Sequence, residues 1–359
     1  MMRAARYHGK EDIRIEQIPR EQCGPGQIRV EPAFVGICGT DLHEFLGGPC
    51  FAPLTPHPVT GEAVPIGMGH EFSGTIAEVG SQVSQFKVGQ KVAVQPTIYC
   101  GSCGACRHGV ENACANGGFI GLSGGGGGLS DEIVVPHEAC HLLPDNIELD
   151  IGALVEPLAV AWHAVNVSSL QRIGPEKANV LVLGGGPIGL AVVQVLVALS
   201  TKKIIMSEVA ASRQAFAREF GAHHVLDPGT YDLAAVSREL SGGNGPDIVF
   251  DCAGVTASLE TACKAIRPRG TVVNVAIWEK AVPFNPNMLV FKEGKYVAVL
   301  GYQRQDFEAV IRALADGKLK PQRMITSKIP MDALVEKGIL ALVKEKDKHV
   351  KILVDVKGR

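Results

Sequence analysis

From residue 1 to about 150 the apolar positions fall in short runs, at 28–30, 74–79, 91–94 and 132–135, separated by glycine- and proline-rich punctuation at close spacing. Such runs predict strands joined by turns, so this half reads as mostly β. From about Leu158 the texture changes to β-type runs alternating with helix-length segments: 180–183 then 188–199, and 203–207 then 212–220. Further strand-like runs follow at 247–251, 271–276 and 297–300. Strand, helix and strand in that order predict a parallel sheet with right-handed crossovers. After about Asp316 the pattern is mixed again and ends in an apolar run at 350–356 that can pair with the first half.

The pattern thus predicts an α/β chain of two domains, one spanning 1–157 and 316–359, the other 158–315; a length of 359 residues gives each a core of its own. A formal net charge of −2 with 20% charged residues offers neither a basic footprint for nucleic acid nor an acidic tail, which leaves small-molecule chemistry. The opening MMRAARYHGKEDIRIEQIP has no apolar stretch of the secretory kind. The longest apolar run, 190–199, is interrupted by Gln194 and is too short to span a bilayer. A cytoplasmic protein without a membrane partner is the expectation. In that setting the 10 cysteines point to metal binding or buried thiols rather than disulfides. The run SGGGGG at 123–128 reads as a flexible or tightly turning loop, and the charged stretch 344–348 as a solvated face.

Three clusters carry candidate chemistry. In the first, VLVL at 180–183 runs into GGGPIG at 184–189, followed by an apolar, helix-compatible segment. Strand, glycines and helix in this order form a dinucleotide-binding fingerprint. Gly184 permits the tight turn, Gly186 lets backbone approach the pyrophosphate, and Gly189 lets the helix pack on the strand. The helix that starts at Pro187 and Ile188 then presents the free N–H groups of its first turn, from Ile188 on, to the phosphates. Glu208, at the end of the next strand, stands where a carboxylate binds the adenosine ribose hydroxyls of NAD and repels the extra phosphate of NADP. Arg213, further along, is a candidate for the ribose or phosphate, or simply a surface residue.

The second cluster is Cys100, Cys103, Cys106 and Cys114, four thiols within fifteen residues on a loop broken by glycines. Four thiolates wrap one tetrahedral Zn2+ and leave no open position, which makes this a structural site. The third is a mixed set: Cys38, Thr40 and His43 in GICGTDLH, His70 and Glu71 in GHE, and Glu156 in VEPL. A catalytic zinc needs about three protein ligands and a free position, and thiolate, imidazole and carboxylate supply them. Singly, Cys38 reads as a packed thiol, His70 as a core histidine and Glu156 as a carboxylate favoured at a helix start. Together with the other two clusters they read as a metal site.

With these motifs the chain resembles the zinc-containing medium-chain alcohol dehydrogenases over essentially its whole length. The pairing of GICGTDLHEF with GHEFSGTIAEVG, and Glu156-Pro157, is similar to the polyol branch, which includes sorbitol and 2,3-butanediol dehydrogenases. The segment HPVTGEAVPIGMGHEFSG is most similar to the butanediol-oxidising members. The resemblance implies a GroES-like β domain plus a Rossmann domain and one catalytic and one structural zinc per chain. It also implies hydride transfer between NAD(H) and a small secondary alcohol or vicinal diol, and a homodimer or homotetramer. Cys38, His70 and Glu156 then surround the catalytic zinc, with Glu71 as an exchanging ligand. Asp41 orients a ligand such as His70, Thr40 accepts the substrate proton and His43 ends the relay, while Val160 joins the cofactor-binding residues. Sorbitol, xylitol or threonine oxidation, and a non-catalytic NAD(P)H-binding protein of the same fold, are the competing expectations.

Overall fold

The computed structural model describes residues 1–278, 280–345 and 347–358, so Lys346, within the charged stretch 344–348, lies outside the described residues. Two compact units emerge: residues 1–156, 303–315 and 324–359, and residues 157–302 with 316–323.

In the first unit the strands are β1 (Met2–Gly9), β2 (Asp12–Ile18), β3 (Gln27–Gly36), β4 (Ile66–Gly67), β5 (Glu71–Val79), β6 (Lys91–Val94), β7 (Thr97–Ile98), β8 (Gly118–Phe119), β9 (Ile133–Pro136) and β10 (Cys140–Leu142). The second unit holds β11 (Asn179–Leu183), β12 (Lys203–Ser207), β13 (His224–Leu226), β14 (Ile248–Asp251), β15 (Thr271–Asn274) and β16 (Lys295–Ala298). The chain then returns to the first unit with β17 (Ile325–Pro330) and β18 (Lys351–Asp355).

The main sheet of the first unit runs β10-β6-β5-β3-β18-β17, with β9 also on β3. Alternation along β3 buries Ile28, Val30 and Val35 in a core shared with Phe72 and Ile76 of β5 and Ile352 and Val354 of β18. The apolar run near the C-terminus therefore lies antiparallel beside β3, with Leu353 opposite Gly36, as its composition foretold. Residues 123–128 turn tightly: Gly124, Gly125 and Gly126 take φ values of 98°, 73° and 77°, a region that glycine alone enters without strain. The run is also packed closely, since a Cβ on Gly127 would stand 2.1 Å from the carbonyl oxygen of Met68. Loose flexibility, one of the two expectations for this run, does not describe it.

The second unit is a parallel sheet in the order β13-β12-β11-β14-β15-β16. β11 sits at its centre, and the strand order reverses between β12 and β14, the switch point where ligands bind in such sheets. The helix Pro187–Ala198 follows β11 and is buried almost all round, which explains why Leu, Val and Ala fill it on every face, with Gln194 buried among them.

One boundary falls elsewhere than at 316. The helix Arg304–Ala315 belongs with the first unit, and residues 316–323 belong with the second. Its amphipathic face, with Phe307, Val310, Ile311 and Leu314, is buried. Phe307 packs on His141 of β10 at 4.8 Å between ring centroids. Its two ends are tied as well: Arg304 donates to the Glu138 carbonyl at 2.6 Å, and the Asn146 amide donates to the Ala315 carbonyl at 2.9 Å. Residues 316–323 turn away, where Arg323 pairs with Glu219 of the second unit at 2.9 Å. No described helix is long and apolar enough to cross a membrane. Because Phe307 fills a site in the first unit, Phe307→Ala is expected to lower stability by about 3–5 kcal/mol in chemical denaturation; a loss under about 1 kcal/mol contradicts this placement.

Candidate active site

The mixed cluster is assembled by α1 (Gly39–Gly47) and three adjacent strands of the first unit. Cys38 stands at the N-cap of α1. Its own N–H donates to Asp41 Oδ2 at 2.9 Å, which fixes the turn. Thr40 places its Oγ1 3.5 Å from Cys38 Sγ. His43 follows three residues later, a spacing that puts both side chains on one face of the helix. His70 precedes β5, and the glycines before it are locked by the 121–128 segment: a Cβ on Gly121 would stand 2.3 Å from the Gly69 carbonyl oxygen.

Ligand atoms of Cys38, His70 and Glu71 lie within 4.8 Å of one another. The mutually close trio thus includes Glu71, which begins β5, rather than Glu156. Glu156 is buried at the start of the helix Val155–Val167, and its charge acts on both His70 and Lys351. Burial works to hold His70 neutral, but the negative charges of Asp41, Cys38 and Glu156 outweigh it and raise the imidazole to about 10. His70 Nδ1 faces Asp41 Oδ1 at 3.7 Å, and both atoms are buried without a hydrogen-bond partner. A site with this surplus of negative charge and these donor types fits a divalent cation.

A residue absent from the sequence reading completes the site. Lys351, on β18, is 2% exposed and donates to Glu71 at 2.8 Å (Oε1) and 2.6 Å (Oε2) and to the Ile37 carbonyl at 3.2 Å. β3 lies between the two strands, and its Gly36, opposite Glu71, leaves the room: a Cβ there would stand 2.1 Å from Glu71 Oε2. Burial disfavours the ammonium, yet Glu71, Cys38 and Glu156 together hold the Lys351 pKa above the usual lysine value. The signal available in sequence was a lone lysine in the apolar run VKILVDV, easily taken for a side chain that reaches solvent.

The four-cysteine loop closes on itself. Sulfur separations are 3.5 Å for Cys103–Cys106, 3.8 Å for Cys103–Cys114 and 3.5 Å for Cys100–Cys114. A tetrahedron with Zn–S bonds of about 2.3 Å has edges of about 3.8 Å, so the cage has the right size. Backbone N–H groups of Cys100 and Asn116 point at Cys114 Sγ at 3.3 and 3.4 Å. The Ser102 N–H and hydroxyl push the Cys100 thiol down to about 5. The Ser102 donors stabilise the Cys100 thiolate, the form that binds zinc, whereas burial and the neighbouring thiols push Cys106 up to about 12.

In the second unit the three glycines play different parts. Gly184 takes φ +94° in the turn after β11, and a Cβ on Gly189 would stand 1.8 Å from the Gly184 carbonyl oxygen. A Cβ on Gly186, by contrast, would meet nothing within 4 Å, which is the open cradle a pyrophosphate needs at this helix start. Pro187 opens the helix at a position where its missing N–H costs nothing, and Ile188 follows in the same first turn. Glu208, directly after β12, accepts from the Gly185 N–H at 2.6 Å and the Ala210 N–H at 2.8 Å, which fixes its carboxylate beside the glycine turn. Arg213 is half-buried in the helix Ala211–Glu219, and Val160 half-buried in Val155–Val167. Buried Asp251, not foreseen from sequence, accepts from the Ala253 and Gly254 N–H groups, both at 3.1 Å, and so sets Ala253 against Gly184.

Comparison with known proteins agrees with this geometry. Residues 24–145 match the alcohol dehydrogenase GroES-like domain and residues 187–316 the zinc-binding dehydrogenase domain. The (R,R)-butanediol dehydrogenase of Bacillus subtilis is 42% identical, with 98% of this chain and 99% of that protein aligned. This chain belongs to the zinc-binding alcohol dehydrogenase family. The crystal structure of 2R,3R-butanediol dehydrogenase from B. subtilis superposes with a TM-score of 0.92 at 40% identity, covering 99% of this chain and 100% of that one. A putative zinc-binding dehydrogenase from Sinorhizobium meliloti 1021, solved bound to NADP, gives 0.88 at 28% identity, covering 99% of each chain. The dehydrogenase is accordingly an oxidoreductase with a GroES-like and a Rossmann domain, and zinc and NAD are its cofactors.

The glycine geometry separates binding from folding. Gly186→Ala should fold normally yet bind NADH about tenfold or more weakly, because its methyl occupies ligand space only. Gly189→Ala should unfold or melt markedly earlier, because its methyl meets backbone. Fluorescence titration and thermal denaturation of the two variants check this; equal behaviour contradicts it.

Proposed function

We propose that this dehydrogenase oxidises a small secondary alcohol or vicinal diol, 2,3-butanediol to acetoin, and reduces the ketone in reverse. The observation that carries the reading is the set of half-buried Cys38 with buried His70 and Glu71, with Thr40 beside the thiol, in a chain similar over its full length to butanediol dehydrogenases. When bound, zinc supplies Lewis acidity to the substrate oxygen and NAD supplies the hydride acceptor. Cys38 and His70 hold the metal, with Glu156 or Glu71 as the carboxylate ligand. Asp41, whose Oδ1 stands 3.7 Å from His70 Nδ1, acts on the imidazole through its charge and would orient it once the ring turns to the metal. Thr40 takes the proton of the substrate hydroxyl as it gives up its own hydroxyl proton toward His43, which passes a proton on to solvent.

Glu208 accepts from the adenosine ribose, with Arg213 and Val160 as further cofactor contacts and Gly184, Gly186, Pro187, Ile188 and Gly189 around the pyrophosphate. Cys100, Cys103, Cys106 and Cys114 would hold a second zinc, which would stiffen their loop. The protein acts in the cytoplasm as a homodimer or homotetramer. An exposed sheet edge supports self-association: β16 is an edge strand, and Tyr296, Val290 and Phe291 nearby are 41%, 60% and 86% exposed.

Two assays test the assignment. NAD reduction should run at least about tenfold higher in kcat/KM on (R,R)-2,3-butanediol than on sorbitol or L-threonine, and Cys38→Ser should abolish it while NADH still binds. Preferred turnover of threonine or sorbitol, or a Cys38→Ser enzyme of near-normal rate, overturns the reading. Glu208→Ala should shift the NAD-to-NADP ratio of kcat/KM toward NADP by about tenfold or more, since the carboxylate that repels the extra phosphate is gone. An unchanged ratio removes Glu208 from the ribose site.

A further inference from the structure

We propose that Lys351 is a positioning residue that holds Glu71 off the metal and thereby keeps one coordination position of the Cys38–His70 site free. This rests on the reading of that site as the catalytic zinc centre. Glu71 is fully buried, and both its carboxylate oxygens are engaged by Lys351. At the same time its ligand atom lies within 4.8 Å of those of Cys38 and His70, close enough to bind an ion they share. Two cations therefore compete for one carboxylate. Lys351 is equipped to compete, because its three N–H groups are all spent, two on Glu71 and one on the Ile37 carbonyl, and strand pairing fixes its backbone.

A purely structural role explains less. A buried ion pair contributes little net stability against apolar side chains of the same volume, so its retention beside a ligand set calls for another reason. The pair also imposes a requirement on a third strand: Gly36 must lack a side chain for the Glu71 carboxylate to lie where it does. A thiolate, an imidazole and two carboxylates would fill a four-coordinate ion and leave the substrate oxygen no place. With Glu71 turned to Lys351, the ion would keep a position for substrate.

The test uses the full chain loaded with cobalt in place of zinc, read by its visible spectrum and by the rate at which EDTA removes the metal. Cobalt in the four-cysteine cage contributes equally to every variant and cancels in the comparison. In Lys351→Met the carboxylate loses its counter-ion and turns to the metal, so the spectrum should change and metal release should slow about tenfold or more, while kcat falls. Lys351→Arg should restore spectrum, release rate and turnover toward wild type. Lys351→Met/Glu71→Gln should restore the wild-type spectrum and release rate, since no carboxylate is left to turn. A wild-type spectrum and release rate in Lys351→Met overturns the proposal.

Should Lys351→Met fail to fold, the charge-neutral double variant decides. A wild-type spectrum supports the proposal, while a changed one makes Glu71 a resident ligand and overturns it, as does a double variant that cannot fold. A wild-type chain that takes up only one cobalt would instead overturn the active-site reading itself, a result distinct from all of these.

Discussion

Charges removed from water must be answered by other charges, and the first unit of this dehydrogenase gathers more negative groups around Cys38 than its own cations neutralise. Asp41, Glu71 and Glu156 are all buried there, and Lys351 is bound to Glu71. The imbalance shows in His70, raised to about 10 by its neighbours against the effect of burial, and in the partnerless Asp41 Oδ1 and His70 Nδ1. An uncompensated buried charge costs about 3–5 kcal/mol, a large share of a typical domain's stability. A divalent cation at this point removes that cost, so metal uptake and the stability of the unit are linked.

The sheet is what makes so dense a cluster possible. β5, β3 and β18 bring Glu71, Gly36 and Lys351 side by side although the outer two are far apart in the chain. Ahead of His70, the glycine run 121–128 packs backbone against backbone and leaves the histidine little freedom. On the other side, α1 carries Thr40 and His43 on one face, starting from the Cys38 cap. Each part is held by an element whose own packing is complete, which is how ligands stay near their working geometry before the ion arrives.

What could be read from sequence was what is local. The glycines of 184–189, the four cysteines of 100–114 and the GICGTDLH segment gather within a few residues, so spacing alone singled them out as candidates. The longer central strands were also legible, because short apolar runs between turns mark them, though β1 and β2 at the N-terminus, the short β4, β7, β8, β10 and β13, and β17 were passed over. Lys351 was not legible: its partner is 280 residues away, and only sheet register brings them together. For the same reason the room that Gly36 leaves for the Glu71 carboxylate could not be read from sequence. The return point near 316 was missed because the helix Arg304–Ala315 is amphipathic in either unit's context, and only side chains such as Asn146 and Arg304 reveal which core it joins.

The two metal sites differ in the donors they offer, four sulfurs in one and a single sulfur with imidazole and carboxylate in the other. X-ray absorption at the zinc edge of the purified enzyme measures that difference directly. The account predicts two zinc ions per chain, one bound by four sulfurs at about 2.3 Å and one by a single sulfur with nitrogen and oxygen at about 2.0–2.1 Å. A single zinc per chain in an all-sulfur shell would contradict it.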